Sequence, residues 1–435
     1  MIRWPGHVVF VVSSVLVVLV LGLIHAEWIG DYEVTSGSRF VWVVVYASIS
    51  AFIGYVFGLP DQPSTGARIR ASGATAVVAP IVFSVVQAVA GGGLIPRFVL
   101  LMSVPGLFVA DIAVSTAIVA LSRTVSGRDR VLVVADARIA DRLAADVDQH
   151  VEVPCTIVGA VDPCTGEQDF DLGRRSATDG ATVVVVSAES LGVESVLDAL
   201  SRIHASGVRV RTLSGFYDEW LGRVPLTELG AAALLFDIRG VHNVGYARLA
   251  RVRDLVLALA GVVVLVVVIP VVLLGNLLGN RGPMFFRQER VGRDQRNFSI
   301  IKFRTMRPGS ANGEWTRDRD PRVTRFGGFL RRSHLDELPQ VLNIIKGDLS
   351  MIGPRPEQPH YVDELSQTIP FYRNRHVVRP GLTGWAQVNY PYGADEIDAY
   401  EKLQYELWYL DHQSVTLDIR ILARTTRHMI GSRGR

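Results

Sequence analysis

Cysteine is nearly absent: the 435 residues hold two, Cys155 and Cys164, with eight residues between them. With no His pair nearby, a disulfide scaffold and a Cys-His zinc site are both excluded, and a reducing compartment is implied. Charge is scarce too. Asp, Glu, Lys and Arg make up 20% of the chain and leave a net +3, so no nucleic-acid partner is expected. Also missing is a small-residue cleavage site behind the first apolar run, His7 to Ile24, which follows a single arginine. That run reads as an uncleaved membrane helix rather than a signal peptide. There is no internal repeat and no low-complexity tail.

Apolar residues are what the chain has in excess, at 49% with a mean hydropathy of +0.27. That balance indicates a membrane protein, and the length indicates two or three folded units. Four segments, roughly 7–24, 39–59, 73–90 and 98–121, have the length and composition of membrane helices. Glu27, Asp31 and Glu33 lie between the first two, whereas Arg68 and Arg70 follow the second and Arg123, Arg128 and Arg130 follow the fourth. The positive-inside rule then places both ends of this four-helix transmembrane bundle, residues 1–125, on the cytoplasmic side.

From residue 131 the pattern changes. "VLVVADARIADRLAADV" is a short β-branched run followed by a helical one, and "CTIVGAVD", "ATVVVVS" and "VRVRTL" supply further strands around a helix at 193–206. Continuous apolar strands alternating with helices predict a small Rossmann-like parallel α/β domain over 128–240. A dinucleotide site would need glycines in the first turn so that backbone can approach a pyrophosphate. That turn reads Ala135-Asp136-Ala137-Arg138-Ile139-Ala140, so the domain reads as a packing or regulatory module and a candidate for self-association into a homodimer.

A fifth apolar run, "LVLALAGVVVLVVVIPVVLL" at 255–274, has basic residues on both sides: Arg248, Arg251 and Arg253 before it, Arg281, Arg287, Arg290, Arg293 and Arg296 after it. A simple span would strand one cluster outside. Pro270 removes a backbone donor and clashes with the preceding turn, so residues 245–280 are expected to form a re-entrant helix-break-helix hairpin. A proline-kinked spanning helix is the alternative. Of the basic residues, Arg251, Arg253 and Arg281 suit contacts to anionic headgroups.

The densest polar cluster follows. In "RRSHLDELPQVLNIIKGDLSMIGPRPE", residues 331–357, Leu335, Leu338, Leu342 and Ile345 recur at helical steps while Asp336, Gln340 and Asn343 share another face. Asp336 and Glu337 fall in the first turn, where a plain explanation exists: Ser333 and Asp336 match a capping pattern, and acids suit a helix start. Their surroundings argue for more. Arg331 and Arg332 lie just upstream, Lys302 and Arg304 stand in "IIKFRTM", and Arg355 is held between Pro354 and Pro356. Guanidinium groups grip phosphate oxygens in a fork, two adjacent carboxylates can hold Mg²⁺, and an ionised Asp can attack phosphorus. The residues alone therefore point to a phosphoryl-type transfer on an anionic substrate, a lipid being favoured by the neighbouring membrane run.

These motifs carry a resemblance. "GPMFFRQERVG", "FSIIKFRTMRPG", "DPRVTRFGGFLRRSHLDELPQVLNIIKGDLSMIGPRPE" and "RHVVRPGLTGWAQVNY" occur in order. Over roughly 245–430 the chain resembles the bacterial sugar transferases, the polyprenyl-phosphate hexose-1-phosphate transferases of the monotopic phosphoglycosyl transferase superfamily. The bundle and α/β module look like the longer members, which initiate capsule, O-antigen or exopolysaccharide synthesis. The resemblance implies that Asp336 attacks the β-phosphate of a UDP-hexose, releasing UMP, and that polyprenyl phosphate then takes the phosphosugar. It places Glu337 with Asp336 at the Mg²⁺ site, and Lys302, Arg331 and Arg355 at positions suited to phosphate. Pro270 stands where the family breaks its hairpin, and Ile269 where a serine often precedes it. The expected catalytic domain, 281–435, is α-rich and lies on the cytoplasmic face of a bacterial inner membrane.

Trp385, Tyr390 and Tyr392, near Arg379, read either as an interfacial aromatic segment or as plain core. The last stretch, "YEKLQYELWYLDHQSVTLDIRILARTTRHMI", is strongly helical and expected along the membrane surface beside the catalytic helix. Two rival functions stay open on sequence: a membrane-bound nucleotide-sugar dehydratase, for which the glycine loop and a Tyr-x-x-x-Lys pair are missing, and a non-catalytic anchor or regulator of polysaccharide assembly in which the acid pair is a helix cap.

Overall fold

The computed structural model describes residues 4–28, 30, 37–59, 65–90, 95–125, 128–149, 153, 155–163, 172–226, 244–280, 282–307, 320–390 and 395–431. Cys164, Asp31, Glu33, Arg281 and Tyr392 lie outside them. The chain divides into two compact units, Met1–Gly127 and Arg128–Arg435.

The first unit holds α1 (Trp4–Trp28), α2 (Gly37–Val56), α3 (Thr65–Ala90) and α4 (Arg97–Val125). α1 packs on α2 and α4, and α3 on α2 and α4. Val18, Tyr46, Phe83 and Leu107 are buried between them, whereas Leu16, Val20, Val85, Leu101 and Val109 are more than half exposed. Such large apolar side chains facing outward suit a lipid surroundings better than water. Small residues let the helices close up: a Cβ at Gly54 would come within 2.7 Å of the Phe10 ring. α3 starts at Thr65, ahead of the apolar run expected from 73, and in its first turn the Thr65 hydroxyl accepts from the Arg68 guanidinium at 3.1 Å.

The second unit opens with a four-stranded parallel sheet in the order β2-β1-β3-β4, formed by β1 (Asp129–Val134), β2 (Cys155–Val161), β3 (Val183–Val186) and β4 (Arg209–Thr212). Its apolar runs are continuous because both faces are covered. Val131, Val133, Val183 and Val185 pack with α5 (Ala137–Gln149) and the helical turns from Leu213 to Leu221, while Leu132, Val134, Val184 and Val186 pack with α6 (Leu172–Thr178) and α7 (Glu194–Ala205). Burying each such side chain contributes about 1.5–3 kcal/mol.

Next comes α8 (Val244–Gly279), helical throughout with Pro270 inside it. Together with α1–α4 it makes five helices long and apolar enough to cross a membrane, among the described residues. Its two ends are tied to the same body. Near the start, Arg251 donates to the carbonyls of Ile344 (2.6 Å) and Ile345 (2.8 Å), and Asp254 accepts from Ser350 Oγ (2.8 Å) and Met351 N (3.1 Å). At the far end, Asn276 donates to Gly282 O at 2.8 Å and Asn280 to Arg304 O at 2.7 Å.

The rest of the unit contains the β5 (Phe285–Val291) and β6 (Asn297–Phe303) hairpin, α9 (Arg325–Arg332), a 3₁₀ turn at Leu335–Gln340, α10 (Val341–Lys346), β7 (Ser350–Ile352), α11 (Pro359–Thr368), β8 (Gly381–Thr383), α12 (Glu396–Asp411) and α13 (Val415–Gly431). The expected single helix through 335–345 differs in its start. Pro339 lies inside a 3₁₀ turn that precedes α10, which shifts the phase, so Val341 and Ile344 are buried and Leu342 is 41% exposed. The C-terminal stretch breaks into α12 and α13 at His412–Ser414. Trp385 is core: it stacks on Trp408, and its indole donates to Gly222 O at 2.7 Å. The interfacial reading is thereby corrected for that residue, because a satisfied, buried indole gains nothing at headgroup level.

Candidate active site

α9 and the 3₁₀ turn set the geometry. Thr324 Oγ1 accepts from Gly327 N at 2.9 Å and caps α9, and a side chain at Gly327 would collide with the Thr305 carbonyl. The helix ends at Ser333, after which His334 takes φ 55, a left-handed conformation uncommon for a non-glycine residue. This reversal turns the chain so that Asp336 and Glu337 begin the 3₁₀ turn. Ser333 does not cap it: its hydroxyl donates back to the Phe329 carbonyl (2.9 Å) and the Leu330 carbonyl (3.1 Å), and the turn has no side-chain cap. The capping box expected from Ser333 is therefore absent, while both acids do fall in the first turn, where a helix start suits them.

Asn343 clips the turn to the hairpin, donating to Ser299 O at 2.8 Å and accepting from Ile301 N at 3.1 Å. That registers β6 beside the acids and brings Lys302 Nζ to 2.6 Å from Glu337 Oε1. Arg355, on the turn after β7, approaches the same oxygen at 3.9 Å. Arg331 is anchored by Thr305 Oγ1, to which its Nε donates at 2.9 Å, and its charge acts on Asp336 and on Asp320. Two of the sequence candidates lie elsewhere. Arg304 is buried and turned to the end of α8, donating to Asn276 Oδ1 at 3.1 Å and to the Asn280 carbonyl. Arg332 is exposed on α9.

The two carboxyls are made unlike by their neighbours. Burial, then the adjacent Glu337 charge, pushes Asp336 up to about 6 against the pull of Lys302 and Arg331. Burial opposes the charge on Glu337 as well, but Lys302 and Arg355 overcome it and hold Glu337 at about 2. At neutral pH both are ionised, and Asp336 carries the less stabilised charge. A carboxylate of that kind is a better nucleophile than one locked in an ion pair.

Among the described residues no group of three His, Cys, Asp or Glu side chains is placed to hold a metal. Asp336 and Glu337 are hard oxygen donors, the ligand type that Mg²⁺ takes one or two of before completing its shell with water and phosphate, and Glu337 already shares one oxygen with Lys302.

Sequence reasoning missed Arg375 and Glu406, a pair 4% exposed each that meets at 2.7 Å behind Arg355. A signal was there. Glu406 falls on the apolar stripe of Leu403, Leu407 and Leu410 in α12, and an acid on a core face needs a partner.

Comparison with known proteins locates residues 245–432 in the family described as bacterial sugar transferase. The chain is 45% identical over 155 residues to a UDP-N-acetylgalactosamine-undecaprenyl-phosphate N-acetylgalactosaminephosphotransferase of Aeromonas hydrophila, covering 35% of this chain and 37% of that one. It is 33% identical over 279 residues to a UDP-glucose:undecaprenyl-phosphate glucose-1-phosphate transferase of Xanthomonas campestris pv. campestris, covering 62% and 57%. It is 40% identical over 153 residues to an uncharacterized sugar transferase of Bacillus subtilis, covering 35% and 72%. The chain thus spans 37% and 57% of the length of the first two relatives.

Proposed function

The chain belongs to the bacterial sugar transferase family, and on that premise we propose that it moves a hexose 1-phosphate from a UDP-hexose to polyprenyl phosphate, with Asp336 as nucleophile. The observation that carries this reading is the divided acid pair, in which Asp336 stays ionised at neutral pH but poorly stabilised while Glu337 is held by Lys302. In the first half-reaction an Asp336 oxygen bonds to the β-phosphorus and the bond from that phosphorus to the bridging oxygen breaks, so the electron pair leaves with UMP. In the second, an oxygen of polyprenyl phosphate attacks the same phosphorus, Asp336 departs as free carboxylate, and polyprenyl diphosphate hexose is released. Splitting one displacement into two lowers each barrier.

Lys302, Arg331 and Arg355 surround the carboxylates, where they would take phosphate oxygens and offset charge developing on phosphorus. Arg304 and Arg332 belong to this reading only at one remove, through α8 and the outer face of α9. Asp336 and Glu337 would hold Mg²⁺, which when bound polarises phosphoryl oxygens as a Lewis acid.

The same reading makes α1–α4 a four-helix transmembrane bundle and the β1–β4 sheet a Rossmann-like module without a nucleotide loop. It makes α8 a re-entrant element, with the catalytic part on the cytoplasmic face of the inner membrane. What supports re-entry is that both ends of α8, at Arg251 and at Asn280, bond to the catalytic body. In this assignment residues 1–125, 128–240, 245–280 and 281–435 are the functional segments, the product starts capsule, O-antigen or exopolysaccharide synthesis, and the module is where a homodimer would form.

The test is UMP release from a panel of UDP-hexoses by purified protein with Mg²⁺ and undecaprenyl phosphate, comparing wild type with Asp336→Asn. Release with one donor, lost by more than about a thousandfold in the variant, is expected when the nucleophile is removed. Equal release by both proteins would refute the role of Asp336.

A further inference from the structure

The turn Gly353-Pro354-Arg355-Pro356 is held more tightly than its prolines require. Gly353 N donates to Thr383 O at 2.9 Å, Gly381 N to Pro354 O at 2.8 Å, and Arg290 to Pro356 O at 3.0 Å. Arg355 itself is gripped from behind at both main-chain groups. Its N–H donates to Glu406 Oε1 at 3.2 Å, and its carbonyl accepts from Arg375 Nη2 at 2.8 Å. Arg375 and Glu406 are paired with each other at 2.7 Å, and the other arm of Arg375 donates to the Tyr372 hydroxyl at 2.6 Å.

A buried ion pair is a poor device for stability alone, because desolvation consumes most of the Coulomb gain and an apolar replacement is often neutral or better. A pair that also fixes the N–H and the C=O of a single residue does something an apolar pair could not: it sets the direction in which that residue's side chain leaves the turn. We propose that Arg375 and Glu406 are positioning residues for Arg355, their buried pair aiming its guanidinium at the Glu337 edge of the acid pair. This rests on the reading of Arg355 as a phosphate-binding residue.

The experiment compares four proteins, wild type, Glu406→Gln, Arg355→Ala and the double variant, for UMP release and for amide hydrogen exchange over residues 353–357. Gln keeps the shape of Glu406 and one accepting oxygen but loses the charge that holds Arg375. Misplacing a positioning side chain by about 1 Å can cost 10²-fold, so Glu406→Gln is expected to lower kcat about 10- to 100-fold. In the Arg355→Ala background it should lower kcat less than twofold, since there is no guanidinium left to aim. Exchange over 353–357 should quicken in both Gln variants. A drop by the same factor in both backgrounds, or unchanged exchange, would overturn the proposal while leaving Arg355 its role. Arg355→Ala with wild-type turnover would overturn both. Wild type silent with every donor would remove the functional reading, and the exchange comparison would still decide the positioning. If Glu406→Gln does not fold, Arg375→Lys serves in its place: it keeps charge against Glu406 but cannot also reach Arg355 O and Tyr372, and the same outcomes apply.

Discussion

Replacing Asp336 by Asn should make the protein more stable, and only above a definite pH. Asp336 ordinarily titrates at 3.8 and is pushed up to about 6, by burial first and by Glu337 second. A rise of that size amounts to about 3 kcal/mol against ionisation, since one pH unit is worth 1.36 kcal/mol. The side chain keeps some solvent contact, so about 2 kcal/mol is a fairer figure. The sign follows from linkage. Below 3.8 the group is neutral folded and unfolded and contributes no penalty. As pH rises toward 6 the unfolded chain ionises more readily than the folded one, and stability is lost. Asp336→Asn cannot ionise and escapes the loss. Unfolding midpoints in detergent, with divalent ions chelated, should agree for the two proteins at pH 4 and differ at pH 7.5 by roughly 4 to 8 °C in favour of the variant. A variant no more stable than wild type at pH 7.5, or equally favoured at both pH values, would refute the reasoning.

Two further outcomes are expected. kcat/KM for UMP release, which reports the free enzyme, should be level from pH 7 to 8 and fall tenfold per unit below about 6; a midpoint near 4 would mean that Asp336 is not strained in this way. Arg223, buried between Asp146 and Glu401 and lying over the Tyr217 and Tyr405 rings, should not tolerate loss of charge. Arg223→Met leaves two carboxylates without their shared cation and should cost about 3–5 kcal/mol, read as a shift in denaturant midpoint; a change below about 1 kcal/mol would show the seam to be solvated.

Much of the site was legible because its chemistry is local. Asp336 and Glu337 are neighbours in the chain, and the basic residues that meet them sit in short stretches whose density of charge stands out against a valine-rich background. Distance in sequence did not hide Lys302, since "IIKFRTM" isolates it among apolar residues. What sequence could not supply was direction. Arg304, two residues beyond Lys302 on the hairpin, leaves it toward α8, and no periodicity distinguishes it from Lys302 until Asn276 and Asn280 are in place. The helix phase after Asp336 failed for a related reason: His334 at positive φ and Pro339 within a 3₁₀ turn break the 3.6-residue repeat that pattern reading assumes. Trp385 was ambiguous because an indole suits both an interface and a core, and the carbonyl that settles it, Gly222, lies 163 residues away. The sheet was readable because its strands are buried on both faces, which leaves unbroken apolar runs.

The seam at Arg223 also bears on how the protein is made. Glu401 follows Arg223 by 178 residues, so at a synthesis rate of 5–20 residues per second the cation waits roughly 10 to 35 seconds for its second partner. Asp146, already emerged, holds it meanwhile, and with Tyr217 closes the underside of the sheet. Until α12 is made, the module presents a closed Arg223–Asp146 pair, and Glu401 then joins it as a second carboxylate on the same guanidinium. A chain cut before α12 would lack that second carboxylate and leave the Arg223–Asp146 pair, beside the ring of Tyr217, as the whole of the seam.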